Sequence, residues 1–407
     1  MERKIFIFII WLWATTGVVG ASPVEKTIYV DGFKREYWVY TPSHPFSEKP
    51  DGMIVCLHGF GRTMDDFFDQ YNITAIADSL NMIIAAPQAL PEQNQEVRRD
   101  AEIINSWTDN TISLNSVWGC GLSVHVTSFG LTLFDAELNK EVDDVKFIDQ
   151  MIDEILAENS IPERNLFMLG TSMGGFMTYQ YALRKGGRLS GIISIAGSMG
   201  LSVKGMDYTT KLPVCDFHSV TDEVVSYTGS QFQFPVLIAL AMSKTNVINY
   251  WVETNSAGLP VTEQVQNYPS TKEITVEKIT YPDKDNEVIH YKIDGASHSY
   301  FFKKEEGDCM DHVEEITRFI QSHISKSPIQ IQPVSAQKLV FYPNPVQDII
   351  YVDVESGIVT IFDTTGQTVF TQSFTEGKID LSFLKSGIYI IEIQSENTGK
   401  AGKLQKR

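Results

Sequence analysis

The apolar positions of this chain first alternate with polar ones and then gather into short runs. From Lys26 to Tyr40 the alternation predicts a hairpin of two strands. The short runs that follow are mostly apolar, which is typical of strands covered on both faces of a parallel sheet. They are Met53–Leu57, Met82–Ala86, Leu166–Leu169, Gly191–Ile195 and Pro213–Phe217. Val288–Ile293 is expected to form a last strand.

Apolar residues at helical spacing occupy the intervals between these runs. The predicted helices are Met64–Leu80, Val142–Glu158, Gly175–Lys185, Phe234–Trp251 and Asp308–His323. Strands that alternate with helices indicate an α/β fold, in which a mostly parallel sheet is flanked by helices. We expect residues 22–324 to form this domain.

Two stretches interrupt the alternation. Arg99–Phe134 is rich in Trp, Gly, Ser and Asn, and it predicts a long loop that is either functional or a surface excursion pinned by its aromatic residues. Residues 325–337 are polar, contain prolines and lack periodicity, so we expect a linker there.

In residues 338–407, apolar and polar positions alternate over short segments, and there is no His or Cys. They predict a small all-β, sandwich-like domain without catalytic residues.

Residues 1–21 have the layout of a secretory signal peptide. Met1–Lys4 is basic, Ile5–Trp13 is almost entirely apolar, and small residues surround Ala21. This apolar core is too short to cross a bilayer comfortably, so cleavage is favoured over an uncleaved anchor helix. No later segment is apolar for long enough to span a membrane. We therefore expect an exported chain with no integral membrane segment after cleavage.

Composition narrows the choice of partners. The 51 acidic and 33 basic side chains leave a formal charge of −18, which repels nucleic acids, so we expect no nucleic-acid partner.

The four cysteines lack metal-ligand spacing. Cys56 and Cys215 lie in apolar runs, where cysteine is usually a small buried hydrophobe. Cys120 and Cys309 lie in loop-like surroundings and could form a disulfide or remain free.

The most specific chemical signal is Gly170-Thr-Ser172-Met-Gly174, which follows an apolar run and precedes a helical pattern. A serine on a sharp turn between a strand and a helix needs small residues on both sides, and Gly170 and Gly174 provide them. Alone, this motif recurs by chance in long chains. Between a strand and a helix, it predicts that Ser172 is a nucleophile.

A serine hydroxyl needs a base in contact and a carboxylate that orients this base. Of the eight histidines, His298 lies in a small-residue loop just past the last predicted strand. His290 lies within that strand, and His312 and His323 lie in the final helix, where histidines are more often solvated or packed in the core. We therefore expect His298 to be the base.

The acid follows an earlier strand. Asp222 lies at a turn just after Pro213–Phe217, while Asp216 lies inside that run and Glu223 lies one residue further around the turn. This placement favours Asp222 over both rivals. A solvated turn aspartate with no catalytic role is the alternative.

Backbone N–H groups are expected to stabilise the oxyanion of acyl transfer. The candidates are the N–H of Met173 and, in the loop after the first apolar run, the N–H of Phe60. We expect the neighbouring His58 to hold loops together by hydrogen bonds. Trp107 could form an aromatic wall for the substrate or simply pack. This chemistry needs no metal and no other cofactor.

Five motifs carry a family resemblance: His58–Gly61, Val142–Val145, Gly170–Gly175, His218–Tyr227 and Gly295–His298. Together they resemble those of secreted polyhydroxybutyrate depolymerase-like and feruloyl esterase-like hydrolases. The resemblance covers about Val30 to Ile324 and implies an α/β-hydrolase with Ser172, Asp222 and His298 as its triad. The family commonly has Gly-Gly-Gly-His-x-Trp around the histidine, and this chain has Gly-Ala-Ser-His-Ser-Tyr. That departure leaves the substrate open.

The C-terminal region shows a second resemblance. Its motifs include Phe341–Pro345, Val359–Asp363, Gly387–Tyr389 and a basic end at Lys400–Arg407. They resemble the C-terminal sorting domain of type IX secretion substrates. The resemblance implies recognition by the type IX machinery, passage across the outer membrane, and removal of the domain or its use in surface attachment. A small carbohydrate-binding sandwich is the alternative.

These features favour a secreted or surface-attached serine esterase that forms an acyl-enzyme on feruloyl or acetyl esters of plant polysaccharide. A polyhydroxybutyrate depolymerase is the alternative within the same chemistry. An exported serine peptidase is less favoured, because the sequence has no extra domain to gate access of a peptide. An inactive surface protein that binds glycan is the alternative of a different class.

Overall fold

The computed structural model describes residues 22–42, 49–107, 113–128, 131–159, 161, 165–201, 210–229, 237–324, 337–363, 368–395 and 398–407. The predicted signal peptide and residues 325–336 of the predicted linker lie outside these ranges. The chain divides into two compact units, Met1–Ser325 and Lys326–Arg407.

The first unit alternates strands and helices. Its described strands are β1 Val24–Val30, β2 Phe33–Tyr40, β3 Gly52–Leu57, β4 Met82–Pro87, β5 Ser123–Ser128, β6 Leu131–Glu137, β7 Leu166–Thr171, β8 Gly191–Ile195, β9 Val214–Ser219, β10 Leu237–Leu240, β11 Val261–Gln264, β12 Thr275–Tyr281 and β13 Val288–Asp294. Its described α-helices are α1 Asp66–Gln70, α2 Ile73–Leu80, α3 Gln95–Trp107, α4 Asp144–Asn159, α5 Met173–Lys185, α6 Lys244–Asn255 and α7 His312–His323.

A ten-stranded sheet has the order β1-β2-β4-β3-β7-β8-β9-β13-β12-β11. Its central strands, from β4 to β13 in this order, pair in parallel. The outer pairs at both ends are antiparallel. A separate three-stranded sheet has the order β10-β5-β6. With helices on both faces of the large sheet, this is the predicted α/β-hydrolase fold, and the prediction is confirmed.

Each central strand contributes to a core on both faces of the sheet. In β3, Met53, Val55 and Leu57 pack in one core with residues of α4, α5 and α6. Ile54 and Cys56 pack on the other face with residues of α2 and α7. All six residues of β3 are buried. This double burial explains why the central strands are apolar without alternation.

Several sequence predictions are wrong in their bounds. Part of the predicted loop Arg99–Phe134 forms the end of α3, all of β5 and the start of β6. The predicted helix Phe234–Trp251 is replaced by β10, which pairs with β5, and by α6. Helix α6 begins late because the Ser243 side chain accepts a hydrogen bond from the N–H of Asn246 at 3.3 Å and caps it.

Two further differences concern a helix and the cysteines. The predicted helix Met64–Leu80 is split into α1 and α2 at Asn72, whose φ of 47° is left-handed. All four cysteines are buried and free, so Cys120 and Cys309 do not form a disulfide.

The second unit is built from short strands, as predicted. They are β14 Gln337–Lys338, β15 Phe341–Tyr342, β16 Ile349–Val352, β17 Gly357–Phe362, β18 Thr368–Phe374, β19 Lys378–Asp380, β20 Gly387–Ser395 and β21 Thr398–Lys406. They form a five-stranded and a three-stranded sheet around a shared apolar core. The all-β prediction is confirmed.

Within the described ranges of the whole chain, no helix has the length and apolar character that crossing a membrane requires.

A buried ion pair links β2 to α4. Arg35 Nη2 and Asp144 Oδ1 lie 2.5 Å apart, and both side chains are almost fully excluded from solvent. The second oxygen of Asp144 accepts the N–H of Gly119 at 2.6 Å. The neighbouring Asp143 instead forms an exposed pair with Arg184, at 3.1 Å.

Replacement of Asp144 should therefore cost far more stability than replacement of Asp143. Asp144→Asn leaves the guanidinium of Arg35 buried and uncompensated, which should lower the free energy of unfolding by about 3 kcal/mol. Asp143→Asn keeps a side chain that can cap α4 and should cost less than about 1 kcal/mol. Denaturant unfolding followed by tryptophan fluorescence reports this unit alone, because every Trp precedes residue 252. Equal losses in the two variants would contradict this assignment.

Candidate active site

Ser172 lies on a sharp turn between β7 and α5. Its φ of 54° and ψ of −121° are unusual for a residue with a side chain, and its N–H donates to Ile195 O at 2.8 Å. A Cβ on Gly170 would lie 2.1 Å from Gly174 O, and one on Gly174 would lie 1.8 Å from Leu57 O. Only glycine fits at both positions, so the motif has the steric role that the sequence predicts.

The structure brings Ser172, His298 and Asp222 together. Ser172 Oγ donates to His298 Nε2 at 2.8 Å, and His298 Nδ1 donates to Asp222 Oδ2 at 2.8 Å. Each residue lies at or just beyond the carboxyl end of a parallel strand: β7, β9 or β13. Because these ends lie at one edge of the sheet, three residues distant in sequence become neighbours.

The Asp222 carboxylate is buried and fully hydrogen-bonded. Its Oδ1 accepts the N–H groups of Val224 and Val225, at 2.8 and 2.7 Å. Burial alone would raise the pKa of Asp222, but the contacts with His298, His218 and the Val225 N–H hold this pKa below its usual value. Asp222 is therefore an ionised acceptor that favours one tautomer of His298.

The rival candidates lie elsewhere. Asp216 and His290 face each other across β9 and β13, with His290 Nδ1 donating to Asp216 Oδ2 at 2.8 Å. Lys244 Nζ donates to Asp216 Oδ1 at 2.6 Å, and Tyr179 donates to the same oxygen at 2.8 Å. Glu223 only accepts the backbone N–H of His298, at 3.5 Å. None of these contacts involves Ser172.

The sequence analysis missed the role of Lys244 in this buried network. A signal was present, because Asp216 is the one polar residue of the predicted run Pro213–Phe217, and a buried carboxylate needs a partner. Nothing local in the sequence identifies that partner, which lies 28 residues further along the chain.

The predicted oxyanion donors belong to residues near Ser172. Met173 is the first residue of α5, so its N–H has no acceptor within the helix. A Cβ on Gly59 would lie 3.4 Å from Ser172 Cβ, which places the loop of Phe60 beside the serine. The N–H of Phe60 has no backbone acceptor in the described part of the chain. Both N–H groups are thus available to a ligand.

His58 is buried within a set of loop contacts. Its Nδ1 donates to Gly59 O at 2.8 Å, and its Nε2 accepts the N–H of Ala89 at 3.1 Å. The indole N–H of Trp118 donates to His58 O at 2.9 Å. Through these contacts His58 holds neighbouring loops together, as the sequence predicts. None of them involves Ser172.

Two further observations concern Trp107 and metal ions. Trp107 is the last residue of α3, and its side chain lies outside the described part of the structure. Across the described ranges, no group of three or more His, Cys, Asp or Glu side chains is arranged to hold a metal ion.

Comparisons with known proteins agree with this architecture. Residues 133–250, which include Ser172 and Asp222, match the Phospholipase/Carboxylesterase family, and residues 340–407 match the secretion system C-terminal sorting domain. The chain thus joins a carboxylesterase-like domain to a secretion sorting domain. The first match bears out the prediction of an ester hydrolase at the level of this broad family, and it does not distinguish a feruloyl esterase from a polyhydroxybutyrate depolymerase.

Solved structures that match the chain include two hydrolases. An acetyl xylan esterase from Aspergillus awamori is 11% identical, with a TM-score of 0.46 over 74% of this chain and 99% of that one. An S-formylglutathione hydrolase from Agrobacterium tumefaciens is 11% identical, with a TM-score of 0.44 over 75% of this chain and 96% of that one. No curated protein sequence matches the chain.

Three buried histidines outside the triad are held neutral. Burial lowers the pKa of His58 and of His218 to about 4 and that of His312 to about 3. Each imidazole takes up its proton near pH 6.5 once the chain is unfolded, because its ordinary pKa is restored. The stability that depends on these neutral histidines is therefore fully present above pH 6.5, and it is lost as the pH falls from 6.5 towards 4.

Replacement of one of these histidines should make the free energy of unfolding depend less steeply on pH. His312→Gln removes one site that binds a proton only on unfolding, so the slope of unfolding free energy against pH should fall by up to about 1.4 kcal/mol per pH unit. Urea unfolding of both proteins between pH 6.5 and 4.5, followed by tryptophan fluorescence, measures the two slopes. Identical slopes would show that His312 is not held neutral.

Proposed function

We propose that the first unit is an exported serine ester hydrolase with Ser172, His298 and Asp222 as its catalytic triad. The observation that carries the proposal is the unbroken pair of 2.8 Å contacts from Ser172 Oγ through the imidazole to Asp222. In acylation, Ser172 Oγ attacks the carbonyl carbon of the ester while His298 Nε2 takes the hydroxyl proton. Asp222 stabilises the imidazolium that forms.

The tetrahedral intermediate then collapses. Its oxyanion accepts the N–H groups of Phe60 and Met173, which stabilise the negative charge. His298 gives its proton to the leaving alcohol and the acyl-enzyme forms. In deacylation, His298 activates a water molecule that attacks the acyl carbonyl, and the released proton returns to Ser172.

The domain assignment and the route of the chain are part of the proposal. Residues 1–21 act as a signal peptide, residues 22–324 carry the chemistry, residues 325–337 link the units, and residues 338–407 act as the sorting domain for type IX secretion. The match of residues 340–407 to a secretion sorting domain supports the last of these assignments. The mature protein then works outside the cell, free or attached to its surface.

For the substrate, we propose feruloyl or acetyl esters of plant polysaccharide, with Trp107 as an aromatic wall for the acyl group. The motif resemblance to feruloyl esterase-like hydrolases and the proposed export support this choice. A polyhydroxybutyrate depolymerase is the alternative, because the same triad would cleave that polyester.

Triad variants test the chemistry. Ser172→Ala should abolish hydrolysis of p-nitrophenyl butyrate and labelling by a fluorophosphonate. Asp222→Asn should lower kcat by about 10⁴-fold, because His298 loses the acceptor that fixes its tautomer. As a matched control, Asp285→Asn alters an exposed carboxylate that precedes β13, whereas His298 follows this strand. The control should change neither readout.

Activity or labelling that persists in Ser172→Ala would contradict the triad. A wild-type protein that neither hydrolyses the ester nor takes up the label would support an inactive, glycan-binding protein.

An ester panel tests the substrate class. Methyl ferulate and acetylated xylan should each give a kcat/KM at least about tenfold higher than a short hydroxybutyrate oligomer. Trp107→Ala should lower kcat/KM for methyl ferulate more than for acetylated xylan, because only the ferulate ring can pack on an indole. The highest rate on the oligomer would favour the depolymerase, and comparable rates on all three would contradict any specificity for polysaccharide esters.

A further inference from the structure

The loops that carry the acid and the base meet at one backbone carbonyl. Ala296 O accepts the hydroxyl of Ser219 at 2.6 Å and the hydroxyl of Thr221 at 3.0 Å. The same Thr221 oxygen accepts the N–H of Gly295 at 3.2 Å. Ser219 is the last residue of β9, and Thr221 lies in the acid loop that follows, residues 220–229. Gly295 and Ala296 lie in the base loop that follows β13, residues 295–300. Two hydroxyl groups thus join these loops through three hydrogen bonds.

These bonds begin where the backbone ladder ends. The parallel pairing of β9 with β13 reaches Ser219 and Ile293, and the N–H of Val220 then donates to Ile293 O at 2.7 Å. Beyond this point, the side chains of Ser219 and Thr221 continue the connection. They carry it to Ala296, only two residues before the catalytic base.

One side of the meeting point is shielded from water, whereas Thr221 and Gly295 are exposed. Ser219 is 4% exposed and Ala296 is 3% exposed. Water cannot readily replace the Ser219 hydroxyl, so removal of both hydroxyls leaves the buried Ala296 carbonyl short of a donor. The base loop also contains two left-handed residues, Gly295 with φ of 88° and Ser299 with φ of 54°. A loop held in this conformation depends on contacts that fix its backbone.

The other contacts in this region either stay on the acid side or are longer. His218 Nε2 donates to Val225 O at 2.7 Å, which shapes the acid loop but does not reach the base loop. The contact of Glu223 with the His298 N–H is long, at 3.5 Å. Both Ala296 contacts, at 2.6 and 3.0 Å, are shorter than this one. The Ser219 and Thr221 hydroxyls are therefore better placed than Glu223 to hold the two loops together.

We propose that Ser219 and Thr221 are positioning residues that set the Asp222 carboxylate against the His298 imidazole by clamping the Ala296 carbonyl. This inference rests on the proposed esterase function. Thr221 immediately precedes Asp222, so a shift of its backbone moves the carboxylate directly. A displacement of about 1 Å at a catalytic group can reduce the rate about 100-fold.

The test combines hydroxyl removal with a conservative rescue. Ser219→Ala combined with Thr221→Val should lower kcat for p-nitrophenyl butyrate about 10- to 100-fold, with KM nearly unchanged. The pH at which kcat/KM falls on the acidic side of its profile should decrease, because a displaced Asp222 carboxylate stabilises the protonated His298 imidazole less. Thr221→Ser, paired with native Ser219, keeps both hydroxyls and should retain near wild-type rates.

A matched control lies on the same loop. The Ser226 hydroxyl contacts the Thr228 hydroxyl at 3.0 Å and accepts the Thr228 N–H at 3.3 Å, and both contacts stay on the acid loop. Ser226→Ala should therefore leave kcat and the pH profile unchanged. All rates are divided by the folded fraction measured by tryptophan fluorescence, which separates loss of fold from loss of position.

An unchanged kcat and pH profile in the double variant of an active enzyme would overturn the positioning role alone. That role is also overturned if the loss disappears after correction for folded protein, or if Thr221→Ser loses as much activity as the double variant. A wild-type protein inactive on every ester would instead overturn the proposed function and this inference with it.

Discussion

Tight backbone packing around two glycines holds Ser172 in a conformation that residues with side chains seldom adopt. Gly174 approaches Leu57 O and Gly170 approaches Gly174 O so closely that any Cβ would collide. The resulting φ of 54° aims the serine hydroxyl out of the sheet edge and frees the first N–H of α5. In the proposed chemistry, the base, the acid and the oxyanion donors are useful only if the nucleophile is fixed at this turn, so the proposed site depends on this constraint.

Strands β9 and β13 carry two Asp–His pairs with different surroundings. The inner pair, Asp216 and His290, lies within the strands, and Lys244 supplies a buried positive charge. The outer pair, Asp222 and His298, lies on the loops beyond, where the imidazole reaches Ser172. The same residue types thus serve stability within the sheet and carry the proposed chemistry at its edge. The two pairs differ in whether a serine hydroxyl contacts the imidazole.

Much of this arrangement is predictable from local pattern. Apolar runs, the small residues around Ser172 and the loop positions of Asp222 and His298 indicate the central sheet and the site. Pairings between distant residues leave little local signal. Leu237–Leu240 forms a strand because β5 is available beside it, and the antiparallel strands β11 and β12 extend the sheet without an apolar run of their own. The partners of buried polar groups depend likewise on the assembled fold.

The central claim is that the turn at Ser172 presents its hydroxyl to both the base and the oxyanion donors. A crystal structure of the protein after reaction with a fluorophosphonate tests this claim most directly, because the bound phosphonyl group mimics the tetrahedral intermediate. We predict phosphorus bonded to Ser172 Oγ and a phosphonyl oxygen about 2.7–3.1 Å from the N–H nitrogens of Phe60 and Met173. A phosphonyl oxygen that points away from both nitrogens, or an adduct on another residue, would contradict the account.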